Sequence, residues 1–297
     1  MPSARIAGPD SSSWIDDEPG PGRSPIESRM STPGTNLNAP RLSVVQLVPA
    51  LESGGAERST LEIGRALVAA GHESIVVSAG GRLVERLVAE GSRHIEMSIG
   101  RKSLKTLALV PRLRAVIDET GANIVHARSR LPAWLGWRAL NGLNGPRPRF
   151  VTTVHGLNTP GWYSGIMTRG ERVICVSNLV RDHVVRHYRS VNPSKLILIP
   201  RGVDAEEFPF GYQPEDEWRR RFLAEFPMLD GAPLLTLPAR GTRLKGHAFA
   251  LELIADLKAR GVDARLLLLG VREAGREDYL AELEAMASAL GIAERVA

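Results

Sequence analysis

The sequence is poor in cysteine and in aromatic residues. Its 297 residues include one cysteine, Cys175, which excludes an intrachain disulfide and a zinc site built from several thiolates. Only 5% of the residues are aromatic, so stacking platforms for single-stranded nucleic acid are scarce. No apolar run approaches the roughly 18 residues that a membrane-spanning helix needs. We therefore expect a cytoplasmic globular protein with two domains or one large one.

Several motifs of nucleotide and hydrolase chemistry are also missing. The chain has no Asp-x-Asp, so a nucleotide site that holds a divalent metal through that motif is not expected. It has no G-x-x-x-x-G-K-[ST] phosphate loop, no G-x-S-x-G nucleophile elbow and no H-E-x-x-H zinc site. It also lacks G-x-G-x-x-G, and no acidic residue ends the second predicted strand, which disfavours a nicotinamide-dependent dehydrogenase.

The composition changes near residue 40. Residues 1–40 are acidic and rich in serine and proline, which predicts a disordered leader and does not fit a secretory signal. The whole chain nevertheless has a net charge of +5, so the remainder is basic. A basic body attracts anionic partners such as nucleotide diphosphates, phosphorylated glycans, phospholipid surfaces or nucleic acids, and charge alone does not choose among them.

From residue 41 onward, short apolar runs alternate with amphipathic segments. The apolar runs lack polar alternation, as is typical of strands buried on both faces, and the βαβ rhythm predicts a parallel sheet covered by helices. We predict one doubly wound, Rossmann-like domain over residues 41–201. Within it, we predict a single amphipathic helix over residues 104–120, bent at Pro111.

The rhythm breaks over residues 202–231, which are rich in proline and charge and which we interpret as an interdomain connection. Residues 232–297 resume it, with strands predicted over 233–238 and 264–269 and helices over 247–260 and 277–290. A doubly wound domain usually has about five or six strands. We therefore interpret 232–297 as the start of a second, incomplete Rossmann-like domain, with another strand beginning at its last residues.

A glycine-rich turn, Ser53-Gly54-Gly55-Ala56-Glu57, joins the first predicted strand to a helix. Glycines there let backbone N–H groups approach an oxyanion, and the helix dipole favours negative charge. A plain tight turn would have the same sequence.

His155 follows the strand predicted over residues 150–154, at the end where ligands of parallel sheets bind. A histidine at this position can donate to a substrate hydroxyl or to a developing negative charge. The alternative is a hydrogen-bonded turn histidine. A second turn, Ile199–Asp204, contains Pro200, Arg201 and Gly202. We interpret it either as a rigid segment by which the chain leaves the domain or as an ordinary interdomain hinge.

A basic loop follows the first strand of the second domain. The planar guanidinium of Arg240 and the compact ammonium group of Lys245 can both bind phosphate. Gly246 lets an anion approach closely to the start of the following helix. These features favour diphosphate binding over the alternative, a solvated basic loop.

Two further basic segments lie in the first domain. Arg128 and Arg130 follow a strand and are candidates for binding an anionic acceptor. The segment 101–114 interleaves basic and apolar residues, which suits contact with an anionic bilayer but is more typical of a helix packed on the sheet.

Taken together and in this order, these motifs resemble family-4 glycosyltransferases of the GT-B fold. The resemblance runs from about Arg41 to the end of the chain. The members most similar are those that build bacterial lipopolysaccharide or other surface glycans, through the stretches Ser164-Gly165-Ile166-Met167, Val176-Ser177-Asn178 and Ile199-Pro200-Arg201-Gly202-Val203-Asp204.

The resemblance implies an α/β protein of the GT-B type, with two Rossmann-like doubly wound domains facing a cleft, the second incomplete. It implies retaining, metal-independent transfer of a sugar from a nucleotide-sugar donor to a hydroxyl of a glycan or lipid-linked acceptor, at the inner face of the cytoplasmic membrane or in the cytoplasm. The nucleotide sugar is a substrate, so no cofactor is expected. The resemblance places His155 against the transferred sugar. Donor diphosphate binding would fall to Gly54, Gly55, Arg240, Lys245 and Gly246, and the acceptor side to Glu57, Arg128 and Arg130.

The sequence departs from the family in one respect. Members carry, later in the second domain, two glutamates with seven residues between them, and this chain ends before that segment. Glu277, Glu282 and Glu284 lie on an earlier helix and do not replace that pair. We therefore expect the chain alone to be inactive or nearly so. A GT-B-like sugar-nucleotide epimerase and a catalytically degenerate glycan- or nucleotide-binding relative remain alternatives. Nucleic-acid binding ranks last because no recognisable module for it is present.

Overall fold

A computed structural model describes residues 40–272 and 275–297. Apart from Pro40, the predicted leader over residues 1–40 lies outside the described residues. The chain divides into two compact units, the first ending at Gly202 and the second running from Val203 to Ala297. No helix within the described ranges combines the length and the apolarity needed to cross a membrane.

The first unit is built on a seven-stranded sheet in which all neighbouring strands run parallel. Its strand order is β3-β2-β1-β4-β5-β6-β7. The predicted doubly wound α/β architecture is therefore confirmed for this unit. All five residues of β1 are buried, as expected of an apolar strand that is covered on both faces. The strands are β1 (Ser43–Leu47), β2 (Glu73–Ser78), β3 (Arg93–Glu96), β4 (Ile124–Ala127), β5 (Arg149–Val154), β6 (Arg172–Cys175) and β7 (Leu196–Leu198).

The helices of the first unit connect successive strands. They are α1 (Gly55–Ala69), α2 (Val84–Ala89), α3 (Leu104–Leu107), α4 (Val110–Glu119), α5 (Arg130–Leu140) and α6 (Asn178–His187). A short 3-10 helix, Ser164–Thr168, lies between β5 and β6. Close approach of α5 to the sheet depends on Gly136, because a Cβ there would lie 2.6 Å from Cδ1 of Leu47.

The prediction of one bent helix over residues 104–120 is wrong. The segment forms two helices, α3 and α4, and Pro111 lies in the first turn of the second. Proline is favoured at this position because a helix's first N–H groups have no partner within the helix. Pro111 therefore begins a helix here and does not bend one.

The second unit contains a two-stranded parallel sheet and three helices among its described residues. Val296 forms an isolated parallel bridge with Leu266, at the place where a further strand was predicted to begin. A core of its own includes Leu251, Ile254 and Leu283. The elements are α7 (Asp216–Glu225), β8 (Leu234–Pro238), α8 (His247–Ala259), β9 (Arg265–Leu269) and α9 (Glu277–Ala289).

Candidate functional site

The strand order of the first unit reverses between β1 and β4. From β1 the sheet continues through β2 and β3 on one side, and from β4 to β7 on the other. Ligands of open parallel sheets bind at the carboxyl ends of the strands beside such a reversal. Gly54 and Gly55 follow β1, Arg128 follows β4 and His155 follows β5. The fold thus brings these predicted site residues, which are far apart in sequence, to one edge of the sheet.

The N-terminus of α1 forms one side of this edge. Gly54 is the N-cap, with extended backbone and no side-chain cap bond, and the space beside Gly55 is open. The carboxylate of Glu57 lies so close to Gly54 that a Cβ there would collide with it. A carboxylate in the first turn is favoured by the helix dipole. An anion arriving at this turn would therefore meet the chain's own carboxylate and displace it or approach beside it.

Arg201 joins the helix turn to His155. Its guanidinium donates to the carbonyl oxygen of Gly55 at 2.8 Å and to Nδ1 of His155 at 3.0 Å. Because a guanidinium has donors only, Nδ1 accepts, and the proton of the neutral imidazole lies on Nε2. Nε2 is buried and has no hydrogen-bond partner among the described residues. His155 is thus held as a hydrogen-bond donor.

The surroundings keep His155 uncharged. Burial, followed by repulsion from Arg128 and from Arg201, lowers the pKa of His155 from 6.5 to about 3. At neutral pH the ring is therefore a neutral polar group and does not act as a proton-donating acid. A neighbouring ring, His126, is also buried, contacts Thr153 Oγ1 through Nε2 at 2.7 Å, and has a pKa well below its usual range, chiefly through burial.

Arg128 lies in the interior, with 3% of its surface exposed. It donates to Gln46 Oε1 at 2.9 Å and to the hydroxyl of Ser59, while its Nε has no hydrogen-bond partner among the described residues. Burial lowers the pKa of Arg128 to about 9, Arg201 adds repulsion, and Glu62 partly opposes both. Arg128, a predicted acceptor-side residue, is thus buried, and its acceptor role stays a prediction.

Arg130 does not share the environment of Arg128. It donates to Ser164 Oγ at 3.2 Å, and its guanidinium carbon lies 5.3 Å from the centre of the Tyr163 ring. The two arginines predicted together for the acceptor side therefore serve different parts of the unit, and the acceptor role of Arg130 stays a prediction.

Sequence reasoning missed the contacts of Arg201 and the roles of Gln46 and His126. Arg201 and His155 are 46 residues apart, and Arg128 and Gln46 are 82 apart. One signal was available: His126 and Arg128 stand at the carboxyl end of a predicted strand, where ligands of open parallel sheets bind.

The second unit presents its predicted cations on the loop after β8. Arg240 and Lys245 are exposed, and neither side chain forms a hydrogen bond or ion pair with any described residue. Gly246 is the N-cap of α8. Its φ of +77° is a left-handed backbone conformation that residues other than glycine rarely adopt. Arg243, by contrast, is held by both carboxylate oxygens of Glu282 at 2.5 and 2.6 Å. Arg240 and Lys245 are therefore available to an anion in a way that Arg243 is not.

No group of three or more His, Cys, Asp or Glu side chains within residues 40–272 and 275–297 is arranged to hold a metal ion.

Comparison with known proteins gives concordant matches. The Glycosyltransferase Family 4 profile matches residues 53–207. The putative glycosyltransferase EpsF of Bacillus subtilis (strain 168) is 24% identical over 264 residues, which are 79% of this chain and 63% of EpsF. This chain therefore spans less than two thirds of that relative's length.

Solved structures match over most of the chain. A glycosyltransferase from Rickettsia africae is 30% identical, with a TM-score of 0.72, over 87% of this chain and 68% of its own. Anabaena Alr3699/HepE, solved with UDP and glucose, is 17% identical, with a TM-score of 0.70, over 86% and 68%. At that identity the second likeness shows the fold alone.

Proposed function

Because the chain belongs to glycosyltransferase family 4, we propose that it takes part in moving a sugar from a nucleotide-sugar donor to a hydroxyl of a glycan or lipid-linked acceptor. The observation that carries this proposal is the arrangement around His155. A neutral N–H donor stands beside two cations at the sheet edge, and neither cation is hydrogen-bonded to a described carboxylate. The chemistry that such a site favours is recognition of a polar, uncharged group next to an anionic one.

We assign His155 the role of contacting the transferred sugar. With Nδ1 occupied by Arg201, its Nε2–H can donate to a sugar oxygen without transferring a proton. The proposed contact needs a small reorientation of the ring or of its surroundings, because Nε2 is buried. Arg128 and Arg201 favour negative charge nearby, and such charge develops on the diphosphate as it leaves. The positive field comes from the protein, so we propose a metal-independent reaction.

Arg240 and Lys245 are the groups we propose for the donor diphosphate in the second unit. Both side chains are exposed and have no partner among the described residues, and both precede the N-terminus of α8, where a helix dipole favours an anion. Fixed cations that meet growing charge on a leaving group stabilise the transition state more than the ground state. Retention of configuration is part of the proposal through family membership only.

The finer biological role stays a proposal as well. The similarity of the stretches around Ser164, Ser177 and Arg201 to enzymes of lipopolysaccharide and surface-glycan synthesis supports a role in building such a polymer. Because the donor would be used in the cytoplasm and the acceptor would be linked to a lipid, we place the protein at the inner face of the membrane. The basic segment 101–114 is the candidate for peripheral contact with that membrane.

Binding of nucleoside diphosphates tests the proposal directly. We expect UDP, ADP or GDP to bind in isothermal titration, and Lys245→Ala to weaken the best of them by about tenfold, because one charge-assisted contact is lost. Lys105→Ala removes an exposed lysine of the first unit and should leave the affinity unchanged.

Absence of binding by all three nucleotides, or equal binding by the Lys245 and Lys105 variants, would contradict the assignment. Where turnover with a sugar nucleotide is detected, the product separates the candidates. A sugar joined to an acceptor supports transfer, and an epimerised free sugar nucleotide supports the epimerase.

A further inference from the structure

The first unit has a cavity of about 660 Å³ that none of the roles above uses. We call it the aromatic pocket. Trp134 and Trp137 of α5 and Trp162 of the segment after β5 line it, together with Arg169 and Lys195. Its volume lies within the range of roughly 300–1,000 Å³ that is usual for small-molecule sites.

The indole ring of Trp134 makes edge-to-face contacts with those of Trp137 and Trp162. The rings of Trp134 and Trp137 are 6.0 Å apart at 89°, and those of Trp134 and Trp162 are 5.5 Å apart at 62°. Trp134 is fixed by a hydrogen bond of 3.0 Å from its Nε1 to the carbonyl oxygen of Tyr163. Trp162 is 81% exposed. The pocket therefore offers an anchored aromatic wall beside a large indole that is open to solvent.

The charged side chains that line the pocket, Arg169 and Lys195, are cationic. Arg169 lies 4.7 Å from the ring centre of Trp137 and 5.8 Å from that of Trp134, and Lys195 is half-buried. None of the described residues that line the pocket is acidic, and neither cation is paired with a described carboxylate. The hydroxyl of Tyr188, another lining residue, is buried and has no hydrogen-bond partner among the described residues. These groups match a ligand that brings both an anionic substituent and oxygen acceptors.

We propose that the aromatic pocket binds a saccharide unit that carries a phosphate or a carboxylate, as a subsite for an acidic acceptor glycan. A sugar ring presents C–H groups on one face, and these are attracted to the negative face of an indole. Arg169 and Lys195 would hold the anionic substituent. The acceptor role rests on the proposed function, but binding to the pocket can be measured without turnover.

The shape of the pocket favours a glycan over a membrane surface. Insertion into a bilayer uses apolar side chains that project from a convex surface or helix face. Here all three indoles line a concavity, and polar side chains such as Thr168, Ser190 and Asn192 share it. Such groups would lose hydrogen bonds to water in an acyl environment, whereas they can bond to sugar hydroxyls.

The test compares an acidic and a neutral trisaccharide. Trigalacturonic acid and maltotriose are each titrated into the protein, followed by tryptophan fluorescence and saturation-transfer NMR. We expect trigalacturonic acid to bind at least about tenfold more tightly than maltotriose, and added salt to reduce the difference. Trp162→Ala should weaken binding by about tenfold, and Trp162→Phe should restore part of it.

Trp218→Ala is the matched control, because it removes another exposed tryptophan from the second unit. It should leave trisaccharide binding unchanged. Failure of trigalacturonic acid to bind, equal binding of maltotriose, or binding indifferent to Trp162→Ala would each overturn the proposal. Sedimentation with phosphatidylglycerol vesicles that depends on Trp162, without trisaccharide binding, would instead make the pocket a membrane contact.

UDP titration of the same variants separates this proposal from the proposed function. Trp162→Ala should bind nucleotide like the parent protein. If no nucleotide binds while the trisaccharide does, the transferase assignment fails and the aromatic pocket stands.

Discussion

Arg201 lies 3.0 Å from Nδ1 of His155 and at the same time 2.8 Å from the carbonyl oxygen of Gly55, so one guanidinium connects the loop after β5 to the first turn of α1. This contact sets the tautomer of His155 and contributes to its low pKa. The tautomer and the pKa of His155, the proposed sugar-contacting residue, therefore depend on Arg201, which lies in a turn interpreted from the sequence as a rigid exit or a hinge.

Replacing Arg201 should therefore change His155 without unfolding the protein. In Arg201→Ala, loss of a cation and of the donor to Nδ1 should raise the pKa of His155 above its value of about 3, though not to 6.5, since burial and Arg128 remain. Ring ¹⁵N NMR shifts measured against pH report both the tautomer and the titration. Arg189→Ala, at an exposed position, is the control. An unchanged His155 spectrum in Arg201→Ala would contradict the proposed coupling.

Stability should fall on the acid side of neutrality. The pKa of His155 is about 3 in the folded protein against 6.5 for a free ring, so between these values the unfolded chain binds a proton that the folded chain does not. Folding stability should accordingly decrease as pH falls from about 6.5 toward about 3, and His126, whose pKa is also depressed, should add to the slope.

Urea unfolding at several pH values measures this slope. His155→Gln should reduce it, because the titrating group is gone, and His187→Gln, which replaces an exposed ring, is the control. A parent protein whose stability is flat across this range would show that the rings are not held neutral.

Replacing Arg128 by methionine should lower the folding stability much more than replacing Arg130 by methionine. Arg128→Met leaves Gln46 Oε1 and the Ser59 hydroxyl without their donor in the interior, and an unpaired buried polar group costs roughly 1–3 kcal/mol. It should also raise the pKa of His155 by removing a repelling cation. Arg130→Met loses one hydrogen bond of 3.2 Å and a ring contact, and should cost about 1 kcal/mol or less.

Chemical denaturation of the two variants, with the His155 titration as a second readout, distinguishes these outcomes. Equal losses of stability, or an unshifted His155 in Arg128→Met, would mean that Arg128 is not the interior cation described above.

Local sequence patterns predict the layered architecture of the first unit and the edge of the sheet at which its site lies. Short apolar runs without alternation are typical of strands covered on both faces, and His155 and the paired glycines, Gly54 and Gly55, follow such runs. The same reasoning failed over residues 104–120, where the apolar periodicity continues across the interruption between α3 and α4, just before Pro111.

Which polar groups meet depends on how distant parts of the chain pack together. Whether Arg128 faces solvent or the interior depends on Gln46 and Ser59, which lie 82 and 69 residues away, and no local pattern encodes that pairing. The same holds for Arg201 and His155. Burial pattern is a property of short segments, but the protonation state of a ring depends on every charge within a few ångströms, and distant parts of the chain supply those charges.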